Sequence, residues 1–217
     1  MTLRQAQDRR RPLFISDCDE VILHFMPHFA EWIDETTDLR LKLDAPSFAG
    51  ALTSKAGAVV STERIWALLD QFFETEMHRQ NVVPGAVAAL SAIAERAEIV
   101  ILTNIGDQFQ ANRVEQLAAL EIRHRVLCNQ GGKGRPVREL LDEMQPSVAV
   151  FVDDLPVHHE SVLKHAPEVW RLHMVAEGNM AKLWPVAPHA HARIDDWDAA
   201  LPWILERLAG APAEQDV

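Results

Sequence analysis

Basic residues are in the minority: 21 Lys and Arg stand against 32 Asp and Glu, for a formal net charge of -11. That deficit argues against nucleic acid or an anionic membrane as the main partner, since both need a basic face. Cysteine is scarce too. The two present, Cys18 and Cys128, show no CxxC spacing, which fits a reducing compartment without a disulfide framework. No apolar run is long enough to cross a membrane. The basic lead-in MTLRQAQDRRRP has no apolar core of signal-peptide length behind it, so it reads as a frayed start. The small, polar tail GAPAEQDV reads as disordered. No repeat appears at solenoid periods. These absences leave a soluble, cytoplasmic protein whose 217 residues suffice for a good core. Its oligomeric state is not legible.

What is present centres on LFISDCDEVIL, Leu13 to Leu23. The apolar run Leu13, Phe14, Ile15 is too short for a helix and reads as a buried strand. It ends in Asp17 and Asp19. Residues i and i+2 of an extended chain project to one side, so both carboxylates can face one site beyond the strand end. Open α/β sheets bind ligands at that edge.

The next sixty residues are aromatic-rich and mostly helical. Phe29, Trp32 and Ile33 fall at helical spacing over Pro27 to Thr37. Ser61 or Thr62 can cap a helix carrying Ile65, Leu68, Leu69, Phe72 and Phe73 as one stripe. Between them, Asp38 to Val60 reads as mixed helix and loop. Such a length exceeds an ordinary connection and implies an inserted helical module.

From Pro84 strands and helices alternate. Expected strands are Glu98 to Asn104, Arg125 to Cys128, Val148 to Val152 and Val169 to Val175. Expected helices follow Pro84, run from Gln108 to Leu120 and from Val137 to Met144, and close the chain near Trp197 to Leu208. Continuous apolar strands alternating with helices predict a doubly wound parallel α/β sheet of Rossmann type. The division is a core of residues 1–23 and 85–217 with a helical cap of residues 24–84.

Four strand-end loops then offer one kit: Asp17 with Asp19, Thr103 with Asn104, Lys133, and Asp153 with Asp154. Phosphoryl transfer through an aspartate needs an attacking carboxylate, a carboxylic acid for the leaving oxygen and a divalent metal to offset charge. It also needs a hydroxyl and an ammonium on the phosphoryl oxygens, here Thr103 and Lys133.

This set resembles the haloacid dehalogenase superfamily, and within it the phosphatases. The carrying residues are DCDEV at Asp17 to Val21, Thr103 after its apolar strand, Lys133 in its loop and VDD ending at Asp154. The resemblance implies that Asp17 is nucleophile and metal ligand. Asp19 becomes general acid and base and gives the metal its backbone carbonyl, Asp154 a direct metal ligand and Asp153 an outer-sphere partner. The all-oxygen set suits magnesium, and the implied activity is magnesium-dependent hydrolysis of a small phosphorylated metabolite. A phosphomutase uses the same residues, and a binding or regulatory protein could keep the scaffold without turnover. SDCDEVILHFMPHFAEWIDE and VVPGAVAAL further resemble the deoxyribonucleotidase branch. That likeness implies a nucleoside monophosphate as substrate, with Phe25 lining the nucleoside pocket and Asn104 in the substrate site.

Glu20, where many relatives have Gly, and His158, where some have Asp, depart from the pattern. GGKG at Gly131 to Gly134 lacks the offset and the Ser or Thr of a P-loop. The pairs His158 with His159 and His189 with His191 read as solvated surface, and Cys18 as a small buried filler.

Overall fold

The computed structural model describes residues 10–43 and 51–213. The expected frayed start, the end of the tail and part of the 38–60 stretch lie outside the described residues. In chain order the strands are β1 (Leu13–Ser16), β2 (Leu39–Leu41), β3 (Leu52–Ser54), β4 (Glu98–Thr103), β5 (Arg125–Cys128), β6 (Ala149–Asp153), β7 (Trp170–His173) and β8 (Ala192–Arg193). The described helices are α1 (Met26–Thr36), α2 (Thr62–Thr75), α3 (Ala86–Ala94), α4 (Gln110–Ala119), α5 (Gly134–Met144), α6 (Pro156–His165), α7 (Gly178–Leu183) and α8 (Trp197–Leu208).

Six strands form one parallel sheet in the order β5-β4-β1-β6-β7-β8. β1 sits at its centre and is buried throughout. Successive side chains leave a strand on opposite faces, and the core divides accordingly. Leu13 and Ile15 join Val100, Leu102 and Phe151 under α5 and α6. Phe14 joins Ile99, Ile101, Val150 and Val152 under α3 and α8. Both faces are covered, which is why these strands carry almost no polar residues. The fully buried Trp197 donates its Nε1–H to the Val21 carbonyl at 2.9 Å, tying α8 to the loop after β1.

Between β1 and β4 a separate apolar cluster gathers Phe29, Trp32 and Ile33 of α1 with the stripe of α2. This is the inserted cap. Ser61 caps α2 by accepting from the Arg64 amide at 3.3 Å. One expectation fails here: the 38–60 stretch holds the antiparallel pair β2 and β3, which a mixed helix and loop does not describe. Strands of three residues give too few alternations for a period to register. The short α7 and β8 escaped notice for the same reason. Among the described residues no helix is long and apolar enough to cross a membrane.

Candidate active site

Ser16 pairs with Ile101 of β4 on one side and Val152 of β6 on the other. Asp17, Thr103, Asp153 and Asp154 therefore leave the sheet along one edge, where connections depart to opposite sides of β1. Open α/β sheets form ligand crevices there.

Lys133 reaches this edge because of the glycine after it. Gly134 opens α5 so close to α6 that a Cβ would collide with the Ser161 carbonyl. Its amide donates to Ser161 Oγ at 2.9 Å. Lys133 is thereby sealed beneath the site, its Nζ 2.7 Å from Asp17 Oδ2 and 2.7 Å from Asp153 Oδ2. Burial pulls the ammonium's pKa down, but the carboxylates of Asp153 and Asp17 outweigh it and hold it above the usual lysine range. A P-loop lysine does not sit between carboxylates.

Three carboxylates share this spot. Oxygens of Asp17, Asp153 and Asp154 all lie within 4.8 Å of one another. Burial raises the Asp17 pKa to about 7, with Lys133 opposing and Asp153 adding to the rise. Burial also lifts Asp154 well above the usual carboxylate range, helped by Asp153 and Asp17. Asp153 goes the other way: burial would raise it, but Lys133 holds it low. Its oxygens are also taken, Oδ2 by Lys133 and Oδ1 by the Leu155 amide at 2.9 Å. Asp154 forms no ion pair of its own among the described residues, Lys133 being committed to Asp17 and Asp153. With all three acids ionised, one ammonium leaves two negative charges, the deficit that a divalent cation would fill. The donors are all oxygen, which fits a hard ion.

Asp19 occupies a separate electrostatic setting. Arg113 of α4, wholly buried, places Nη2 3.0 Å from Asp19 Oδ1 and 2.9 Å from Oδ2. Gln80 Nε2 donates to Oδ1 at 2.7 Å, while its Oε1 accepts from Arg113 Nη1 at 3.3 Å. Thr103 Oγ1, fully buried, is 3.4 Å from Asp19 Oδ2. Sequence reasoning missed Arg113 and Gln80. The available signal was an arginine four residues before Leu117, on the buried stripe of α4. Cys18 is buried as expected, its Sγ 3.3 Å from Arg113 Nη1.

Glu20 lines the cavity beside the acids but commits its oxygens to backbone amides. Its φ of 58° aims the side chain at the start of α1, where Oε1 accepts from the Phe25 and Met26 amides at 2.9 and 2.6 Å. Oε2 accepts from the Glu177 amide at 3.1 Å. Glu20 thus supplies the cap that Phe25 does not give to α1, and one carboxylate ties cap, β1 loop and post-β7 segment together. Burial raises its pKa to about 7, with the amides of Met26 and Phe25 opposing.

The histidine pair of α6 is not solvated surface. His158 is 4% and His159 0% exposed. His159 Nε2 lies 3.0 Å from the Asp153 carbonyl, and His173 Nε2 2.8 Å from that of Asp154. Both rings steady the acidic turn. Burial lowers the pKa of each, that of His159 to about 4. Adjacent positions face apart on a helix, so His158 turns to the cavity, Nε2 3.4 Å from Asn104 Nδ2. His191 is also engaged, its Nδ1 accepting from the Arg171 amide at 3.0 Å.

Above the acids lies a cavity of about 620 Å³, floored by Asp17, Asp19 and Asp154 and roofed by Phe25, Trp66 and Phe73. Phe25 is flanked by the near-parallel rings of Phe29 and Phe73, at 5.2 and 5.5 Å, and met edge-on by Phe72. Only 8% of it is exposed. Its ring serves mainly to pack the cap. Asn104 lines the cavity with its amide committed, Nδ2 to the Gly131 carbonyl at 2.9 Å and Oδ1 to Asn129 at 2.8 Å.

The fold has counterparts among solved structures. A haloacid dehalogenase-like hydrolase from Burkholderia xenovorans aligns over 92% of this chain and 99% of its own, with TM-score 0.61 and 18% identity. The fold is that of the haloacid dehalogenase-like hydrolases. A magnesium-bound HAD-hydrolase from Bacillus subtilis aligns over 90% of this chain and 99% of its own, at TM-score 0.61 and 13% identity. A predicted phosphoglycolate phosphatase from Haemophilus somnus covers 88% and is covered over 97%, at TM-score 0.61 and 13% identity. No protein-family model and no curated protein matches the sequence. The HAD-like fold is shared; the chemistry must be argued from the site.

Proposed function

We propose that the protein is a magnesium-dependent phosphomonoester hydrolase acting through a phospho-aspartate at Asp17. The observation that carries this reading is the buried cluster of Asp17, Asp153 and Asp154 around one lysine, with a further carboxylate, Asp19, on the same cavity floor. Asp17, Asp154 and the Asp19 carbonyl would hold the metal, with Asp153 behind them. That carbonyl accepts no hydrogen bond among the described residues. When bound, magnesium offsets the negative charge of carboxylates and phosphoryl group.

A carboxylate of Asp17 attacks phosphorus, forming a new P–O bond as the ester P–O bond breaks. Asp19 gives its proton to the departing oxygen. It then takes a proton from the water that attacks the acyl phosphate, which frees phosphate and restores Asp17. Lys133 fixes the attacking carboxylate, and Thr103 lies beside Asp19 at the phosphoryl end. Residues 1–23 and 85–217 supply this chemistry, and the cap, residues 24–84, closes over the organic part of the substrate.

A nucleoside monophosphate is the finer reading. Its support is the aromatic roof, where Trp66, rather than the flanked Phe25, has a ring free to stack on a base. Phosphate release from para-nitrophenyl phosphate and from nucleoside monophosphates, with magnesium and with excess chelator, tests both levels. Release in magnesium and silence in chelator is the expected result; release unaffected by chelator contradicts it.

A further inference from the structure

The charges around the cavity are unusually one-sided. Asp17, Asp19, Glu20, Asp70 and Asp154 line it, and among the described residues no lysine or arginine does. The nearby cations, Lys133 and Arg113, are wholly buried and committed to Asp17 with Asp153 and to Asp19. A metal at the floor would answer the phosphoryl group, but among the described residues no lysine or arginine stands higher up to answer a second anion. Asp70 has no ion pair among the described residues. It stands on α2 between Trp66 and Phe73, at helical spacings of four and three that put all three on one face. Trp66 is 62% exposed, a large ring at the rim of an apolar roof.

We propose that this cavity selects phosphomonoesters whose organic part carries an apolar ring and no second anionic group, and that Asp70 enforces the charge rule. The proposal rests on the phosphatase reading and narrows it to a substrate class. Asp70 is exposed at the rim, where its repulsion is screened by salt and strongest at low ionic strength, and a built-in repulsive group is how a site rejects near relatives of its substrate. The Trp66 ring supplies the attractive part.

Three aryl esters of matched leaving-group basicity test this: para-tolyl, para-(carboxymethyl)phenyl and para-(aminomethyl)phenyl phosphate, with acetyl phosphate as a ring-free reference. With magnesium and at low ionic strength, kcat/KM for the carboxylated ester is expected about threefold below that for the tolyl ester. Asp70→Asn should narrow that gap and Asp70→Lys close it, while lowering the aminomethyl ester. Trp66→Ala should lower the ratio of tolyl to acetyl phosphate turnover by about tenfold. Equal kcat/KM for carboxylated and tolyl esters, or a gap that Asp70→Lys leaves unchanged, overturns the charge rule. Turnover of acetyl phosphate with none of the aryl esters overturns the ring preference alone. Silence on all four substrates removes the phosphatase reading and this proposal together.

Discussion

Arg113 and Asp19 form a near-symmetric ion pair, one guanidinium nitrogen at 3.0 and 2.9 Å from the two carboxylate oxygens. Arg113 is wholly buried while the Asp19 side chain keeps 18% exposure, so the acid faces the cavity with its back held. The pair fixes where a proton can be delivered. Replacing Arg113 with Met strands a carboxylate and leaves Gln80 as its main donor. Breaking a buried pair costs about 3–5 kcal/mol, and partial exposure of Asp19 brings the expectation toward the lower end. Urea unfolding should show that loss for Arg113→Met and a smaller one for Arg113→Lys. A change below the resolution of the titration would mean that the pair is not structural.

Asp19→Asn follows from the proposed role. Loss of the acid should slow an alkyl phosphate severely and an ester with a weakly basic leaving group far less, since the latter leaves without a proton. Rates across a series of leaving groups measure this. Equal losses along the series would assign Asp19 to the pair with Arg113 and not to proton transfer.

The same pair shows where sequence reading reached its limit. Asp17, Thr103, Lys133 and Asp154 stand at the ends of apolar runs, and a parallel sheet brings such ends to one edge, so their meeting was legible. Arg113 lies 94 residues from its partner, on a helix where Gln110, Asn112 and Glu115 are exposed. An inward arginine and a surface one look alike in sequence until the fold names the partner. Glu20 is another such case: it reads as extra charge beside the site but turns back to cap α1. His158 and His159 look like solvated surface because adjacent polar residues usually are, yet β7 and the acidic turn enclose them. The aromatic cap was legible as a stripe; the flanking of Phe25 by two rings was not.

Stability should depend on pH in a way that magnesium reverses. Asp17 and Glu20 have folded pKa values of about 7 against ordinary values of 3.8 and 4.5. A raised carboxyl keeps a proton in the folded protein that the unfolded chain has released, so its stability contribution is full below the ordinary value and is lost as pH climbs to about 7. The buried histidines act oppositely, since His159 sits near 4 against 6.5, and their effect ends only about a unit above pH 6.5. Comparison with Glu20→Gln cancels them: in chelator, the native melting temperature relative to that variant should drop from about pH 5 to 7. Magnesium should raise it most at the upper end, where Asp17 and Asp154 are ready to ionise. A native melting temperature that rises over this range relative to Glu20→Gln contradicts the assignment.

Glu20→Gln keeps the shape but loses the charge that meets three amides. A cap of this kind is worth about 1 kcal/mol, and charge at a helix start adds a few tenths more. Thermal unfolding should show a destabilisation of that order, with Glu20→Gly larger. A more stable Glu20→Gln would mean that the burial of this carboxylate outweighs its hydrogen bonds.

The central claim is that Asp17 attacks phosphorus, and trapping the acyl phosphate tests it most directly. Enzyme quenched in acid during turnover of an aryl phosphate, reduced with borohydride and digested, should yield homoserine in place of Asp17 in the peptide spanning Leu13 to Leu23. The Asp17→Asn variant should yield none and lose about 10⁴-fold or more in rate, the scale on which removal of a covalent nucleophile is felt. Sustained turnover with Asp17 unreduced, or an Asp17→Asn variant that releases phosphate near the native rate, would contradict the account.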